Sequence, residues 1–373
     1  MSEIYKLYGT PTSYYTAKVR AYLRYKAIPY EEILTTEEVY RNVIVARTGV
    51  WMIPTLVTPE DHVVQDSTEI IDVLEHRYPQ APVIPADPWQ RLCALLIELY
   101  GDEWLIMTAI HYRWTKPENR EFAISEFGRQ ARPDGSSEEQ REAGLAKARV
   151  FGGWVGRFGI DENTGPAIEE AYEEFLRAFD DHLRACEFLF GSRPSIADFS
   201  LFGGLYAVLN RDPLSGRLMR AIAPRVAQWV EHMLKPTPHA GEFLAKDFVP
   251  PTLDPILRAI FADQFPVLRD TVARVKLWAH NNPGLPFPKT IGNHEFVLRG
   301  RTGTRCVYPY PQWMLQRVLD FYRSLDLGQR RVIDARLSEL GGYEDMQMEV
   351  EEPLSRSGFQ LVATRPPGPA STR

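Results

Sequence analysis

Strand-forming patterns dominate only the opening of this 373-residue chain, where they alternate with helical patterns in an order that few architectures accept. Ile4 to Tyr8 reads as a short strand, Gly9-Thr10-Pro11-Thr12 as a loop, and Tyr14 to about Lys26 as a helix with Val19 and Leu23 on one face. A second strand follows from Pro29 to Leu34 and a second helix from Glu37 to Ala46. Thr55 to Val57, entered through Pro54, reads as a third strand, and Val63-Val64 continues after the turn Pro59-Glu60-Asp61. A helix from Ser67 to Tyr78 turns Ile70, Ile71 and Leu74 inward, and Pro79 closes it. The order βαβ, then ββα, predicts a four-stranded sheet with helices on both faces.

From Asp87 onward the strand signals give way to long amphipathic segments near Trp89–Trp114, Glu138–Arg157, Pro166–Leu189, Ile196–Leu209 and Leu218–Leu234. The connector between Pro79 and Pro88 carries four prolines, the composition of a semi-rigid linker. Arg129 to Ser137 reads as a loop between helices. Beyond Pro250 the pattern predicts a long helix from Leu253 to about His280 and a Pro/Gly-rich stretch from Asn282 to Pro288. A hairpin of His294–Leu298 against Thr304–Tyr308 follows, turning at Gly300 to Gly303, with two helices after Pro311. The last eight or so residues read as disordered. The expected division is an α/β domain over 1–80, an all-α domain over 88–249 and a C-terminal extension over 250–373.

Composition narrows the partners. The net charge of −6, with 43 basic and 49 acidic residues interspersed, leaves no basic stripe for nucleic acid or an anionic membrane. The start of the chain has no leader pattern and no run of about 18 apolar residues appears, so a cytoplasmic protein is expected. Cys93, Cys186 and Cys306 are far apart, which argues for reduced thiols and against metal-ligand spacing. The 44% apolar content suffices for a sizeable core.

The stretch Leu7 to Arg20, Leu-Tyr-Gly-Thr-Pro-Thr-Ser-Tyr-Tyr-Thr-Ala-Lys-Val-Arg, resembles the first strand, loop and helix of the glutathione transferase superfamily. In that resemblance Ser13 and Thr16 stand where thioredoxins carry two cysteines, which excludes dithiol exchange here. The resemblance implies that Ser13, near a helix N-terminus, donates a hydrogen bond to the glutathione sulfur and favours the thiolate. A helix cap is the other role a serine has at this position. Tyr8, Tyr14 and Tyr15 are rival donors or walls. Trp51-Met52-Ile53-Pro54-Thr55-Leu56 resembles the family's segment with a cis proline, implying that the Ile53 backbone pairs with the cysteinyl unit. A proline opening an edge strand would look the same.

Val64-Gln65-Asp66-Ser67-Thr68-Glu69 resembles the family's acid-serine pair. Ser67 would then take the γ-glutamyl carboxylate, and Gln65 or Asp66 the ammonium. An ordinary helix start needs the same residues. Arg41 or Arg47 could meet the glycyl carboxylate, and Asp102 is a candidate acid donated by a partner subunit. Trp104, Met107, His111 and Tyr112 are candidate walls of an electrophile pocket, or core. Phe190 to Phe199 resembles the family's helical-domain signature, where Ser195 and Asp198 form a capping box.

The resemblance thus implies a thioredoxin-like domain followed by a glutathione-transferase-type helical domain, and a homodimer acting in detoxification. Its expected activity is that of a glutathione transferase, with glutathione as co-substrate, a small hydrophobic electrophile and no metal. A glutathione-dependent reductase, dehalogenase or isomerase, or a noncatalytic scaffold, remains the alternative. The tail could be a lid, a partner site or a stabilising wrap, with Arg299, Arg301 and Arg305 available to an anion.

Overall fold

In the computed structural model, which describes residues 4–364, four strands form the sheet expected at the start of the chain. The reading of the last residues as disordered lies outside the described part. β1 (Tyr5–Gly9) runs parallel to β2 (Tyr30–Leu34) and antiparallel to β3 (Thr55–Val57), which pairs with β4 (Val63–Gln65). Leu7 lies opposite Leu56 and Tyr8 opposite Thr55. Because side chains alternate along a strand, Tyr5, Leu7 and Leu56 enter the main core with α1 (Tyr14–Tyr25). Tyr8 and Val57 instead meet Ile44 of α2, the helical stretch 37–48, on the other face. α3 (Ser67–Arg77) packs beside α1.

The helical part comprises α4 (Pro88–Glu103), α5 (Leu105–Thr115), α6 (Pro117–Ala131), α7 (Ser137–Gly152) and α8 (Gly165–His182). α9 (196–210), α10 (Pro213–Ile222) and α11 (Pro224–Leu234) complete it. Sequence patterning left 115–128 unassigned, although Pro117 at the first helical position with Glu118 beside it is a start signal. The capping box is present: the Ser195 hydroxyl accepts from the Asp198 N–H, and Asp198 accepts from the Ser195 N–H at 2.8 Å.

The extension adds the helical stretch 251–281 (α12), the hairpin β5 (Asn293–Leu298) and β6 (Arg301–Cys306), and α13 (Tyr310–Ser324) and α14 (Leu327–Leu340). The hairpin turns at Arg299-Gly300, not at 300–303. Both residues have positive φ, +48° and +73°, and a two-residue turn of that kind matches the twist of the strands. A second hairpin, β7 (Leu354–Ser357) and β8 (Gln360–Ala363), was not expected; its strands are only four residues each.

The extension wraps α4. Arg317 of α13 lies 3.7 Å from Glu98 and reaches Asp72 of the neighbouring α3 at 3.1 Å, the Arg91 guanidinium lies 4.6 Å from the Phe321 ring centre, and Gln264 donates to the Leu99 carbonyl. Residues 92–102 of α4 are all buried. Asp102 points into its own chain, bonded to Lys18 and Ser200, so it is not an acid offered to a partner subunit. Of the three arginines proposed for an anion, Arg299 pairs with Glu174 at 2.6 Å, and Arg301 approaches Asn163. Arg305 is buried, with its guanidinium carbon 5.4 Å from the ring centres of Trp104 and Phe158.

His111, His182 and His294 are buried, and burial is the largest influence lowering the pKa of each below the ordinary 6.5. In the unfolded chain they return to about 6.5 and bind protons that the folded state refuses. The stability that these histidines contribute is therefore expected to fall as pH drops below about 6.5, by up to about 1.4 kcal/mol per pH unit for each, against the opposite pull of buried Asp198, whose carboxyl is raised to about 6. Urea unfolding of the wild type and His182→Asn at pH 7.5 and 5.5 measures this: the variant should lose less stability between the two, and an unchanged loss would contradict it.

Candidate functional site

The loop between β1 and α1 is clamped from three sides. The Thr10 carbonyl accepts from Ser13 N–H at 3.1 Å and from Arg20 at 3.2 Å. Thr12 donates to Gln130 of α6 at 2.8 Å, and its carbonyl accepts from Arg113 of α5 at 3.2 Å. Arg113 is itself fixed by a two-pronged pair with Asp212, at 2.8 and 2.7 Å, and by the Ala207 carbonyl. Gly9 is required just before the loop, because a Cβ there would come within 2.1 Å of the Thr16 side chain.

Ser13 ends this loop as the cap of α1. Its oxygen accepts from the Thr16 N–H at 3.2 Å and the Thr16 hydroxyl at 2.9 Å. Among the described residues the Ser13 oxygen is bonded only to Thr16, and the side chain lines a cleft of about 270 Å³. The group that caps α1 is thus the one the resemblance implies as donor. The rival tyrosines are differently engaged: Tyr14 donates to the Gly101 carbonyl and Tyr15 to the Asp102 carbonyl at 2.8 Å. Burial, reinforced by nearby carboxylates, pushes both phenols well above 10, so they remain protonated. Tyr8 packs in the cluster on the far face of the sheet.

Across the cleft lie Ile53 and the exposed Trp51 and Met52. The Ile53–Pro54 bond is cis, as the resemblance implied. Trp51 stacks on Tyr40 with ring centres 5.6 Å apart. The helical wall is formed by Ile106, Ile110 and Trp114 of α5, one helical face away from the expected Trp104, Met107, His111 and Tyr112. Those four are core: His111 bonds Glu169 at 2.7 Å and Tyr112 packs on Tyr172. Phe127 of α6 and Phe151 of α7 stack with Trp114 at 5.9 and 6.1 Å, and sequence patterning missed Phe127 because it missed α6.

Gln65, Asp66 and Ser67 gather at the start of α3 but do not line the cleft. Asp66 adopts φ +93°, a conformation rare outside glycine, and its carboxylate caps the helix through the Thr68 N–H at 2.8 Å. Gln65 and Ser67 are each 3% exposed. Arg356 of β7 bonds the Gln65 carbonyl and side-chain oxygen, a contact that nothing in the sequence pattern announced. Arg47 is bonded to Asp61 at 2.8 Å and does not line the cleft, and Arg41 pairs with Glu37. The structure therefore brings Ser13, Tyr15 and Ile53 together around one cavity and leaves Gln65, Asp66 and Ser67 outside its lining, with Arg356 against the first two. Among the described residues, no group of His, Cys, Asp and Glu could hold a metal ion, and no helix is long and apolar enough to cross a membrane.

Residues 7–82 match the family model of the glutathione S-transferase N-terminal domain, and residues 141–232 that of the glutathione S-transferase C-terminal domain. Among solved structures, the chain is similar to a glutathione S-transferase from Rhodospirillum rubrum F11, at 17% identity and TM-score 0.40, over 68% of this chain and 99% of that one. It is similar to a beta-etherase from Sphingobium sp. strain SYK-6, at 19% identity and TM-score 0.47, over 64% of this chain and 97% of that one. A glutathione S-transferase from Methylobacterium radiotolerans in complex with glutathione sulfonate has 19% identity and TM-score 0.39, over 65% and 99%. No curated protein matches the chain.

Replacing Arg113 by Met removes the clamp on Thr12 and strands the buried Asp212 carboxylate. A loss of about 3–5 kcal/mol is expected in chemical denaturation, and Arg113→Lys, which cannot reproduce the two-pronged geometry, should recover only part of it. Wild-type stability in Arg113→Met would contradict the clamp.

Proposed function

Because the chain belongs to the glutathione transferase superfamily, a thioredoxin-like domain followed by a helical one with an added C-terminal region, we propose that it is a glutathione transferase whose catalytic donor is Ser13. The observation that carries this reading is the Ser13 hydroxyl at the cleft, bonded only to Thr16, beside two tyrosines whose hydroxyls already serve backbone carbonyls. A glutathione sulfur placed there would accept the Ser13 hydrogen bond at the N-terminus of α1. Both influences favour the thiolate, so its pKa falls and more attacking thiolate exists at neutral pH.

The Ile53 backbone beside Pro54 is proposed to pair with the cysteinyl unit, with Tyr15 as a wall, and Gln65, Asp66 and Ser67 to receive the γ-glutamyl end. Arg47 is left out of this proposal because Asp61 holds it. The electrophile is proposed to be small and apolar, placed against Ile110, Trp114, Phe127 and Phe151, where proximity to the thiolate raises the rate. Transfer then needs only the thiolate's lone pair attacking the electrophilic carbon while the leaving group departs with the displaced bonding pair. A cytoplasmic detoxifying role fits this chemistry. The homodimer implied by the resemblance would need a face other than α4, which α13 covers; the proposed site is complete within one chain.

The Arg356 contact on Gln65 and Asp66 favours a second reading, a noncatalytic binding protein on the same fold. Calorimetry with glutathione and turnover of an aryl halide separate the two. For the enzyme, Ser13→Ala is expected to lower kcat/KM about 100-fold and to shift the acid limb of the pH–rate profile upward, as the thiol loses its donor. Unchanged kinetics in Ser13→Ala would remove Ser13 from the chemistry, and binding without turnover by the wild type would favour the second reading.

A further inference from the structure

The terminal hairpin is anchored to α13 by one side-chain amide. Gln316 donates to the Leu354 carbonyl at 2.9 Å and accepts from the Leu354 N–H at 2.8 Å. Farther along, the Phe287 N–H donates to the Leu361 carbonyl at 2.8 Å. This frame directs Arg356, two residues beyond Leu354, onto the start of α3, where only 6% of its side chain is exposed. Its Nη2 donates to Gln65 Oε1 at 2.8 Å and its Nη1 to the Gln65 carbonyl at 3.2 Å. The same Nη1 lies 3.3 Å from Glu69 Oε2 and 3.9 Å from Asp66 Oδ2. Tyr310 of α13 closes the same corner, its buried phenol kept protonated first by burial and then by the Asp66 carboxylate beside it.

Every acceptor around Arg356 is one that an incoming ammonium would need: a carbonyl, an amide oxygen and two carboxylates. A guanidinium satisfies them with planar donors and cannot lose its charge to make room. A second cation brought to the same acceptors meets like-charge repulsion in a place where little water screens it. We propose that Arg356 is a resident cation in the ammonium subsite, so that the terminal hairpin competes with the γ-glutamyl end of glutathione and sets how tightly this chain holds it. The inference rests on the reading of Gln65, Asp66 and Ser67 as the γ-glutamyl subsite.

Glutathione titrated by calorimetry into the full chain and three variants tests it. Arg356→Ala, which frees the acceptors, is expected to bind glutathione about 10-fold or more tightly than the wild type. Arg356→Lys, which keeps a cation there, should bind as the wild type does. An Arg356→Ala affinity equal to or weaker than the wild type's overturns the resident cation. Where that equal binding is abolished by Ser67→Ala, the subsite reading survives without it. Absence of heat with both the wild type and Arg356→Ala removes the subsite reading and the inference with it.

Discussion

The ammonium of Lys18 lies 2.9 Å from Glu98 and 2.6 Å from Asp102, with the Thr68 hydroxyl at 3.2 Å, and all three charged side chains are buried. Burial alone would push the lysine pKa down; the charges of Asp102 and Glu98 more than offset this and hold it above its ordinary value. A buried ion pair of this kind adds little net stability, but removing one partner leaves an uncompensated charge, which makes the arrangement hard to distort. Through it α1 is locked to α3 and α4, while Ser200 ties Asp102 to α9 and Arg317 approaches Glu98 from the extension at 3.7 Å. The helix that begins at Ser13 therefore has a fixed rotation, and with it the direction of the Ser13 hydroxyl.

Much of this was legible in advance because local rules governed it. The first four strands and three helices follow period-2 and period-3.6 patterns punctuated by proline, and the capping box at Ser195 and Asp198 is a purely local motif. The cis bond at Pro54 was readable through the family resemblance. The site was less legible. Choosing between Ser13 and its neighbouring tyrosines required knowing that the Gly101 and Asp102 carbonyls, 87 residues away, accept the tyrosine hydroxyls. The wall of the cleft was misplaced by one helical face, since α5 is buried nearly all round and its pattern does not say which apolar side meets a cavity. Arg356 was invisible for the same physical reason: its partners are far away in the chain, and a lone arginine in a short polar strand carries no periodic signal.

The extension changes what α4 is exposed to. α12 and α13 give this helix an apolar and charged environment made within one chain, and the main core runs continuously from the sheet to Met346. Arg317, near Glu98, and Gln264, bonded to the Leu99 carbonyl, are the polar stitches in that cover, and Leu315, Val318 and Leu319 of α13 are buried in the same core. The helix that carries Glu98 and Asp102 is therefore held on the α1 side and the α13 side together.

Arg356 and Gln65 are 291 positions apart. A ribosome adding about 5–20 residues per second takes roughly 15–60 s to travel that distance. During that interval the nascent amino-terminal half has its helix-start carboxylates facing water, and only the final stretch of translation delivers the arginine that closes over them. Each new molecule thus passes through an uncovered youth before it acquires its mature form.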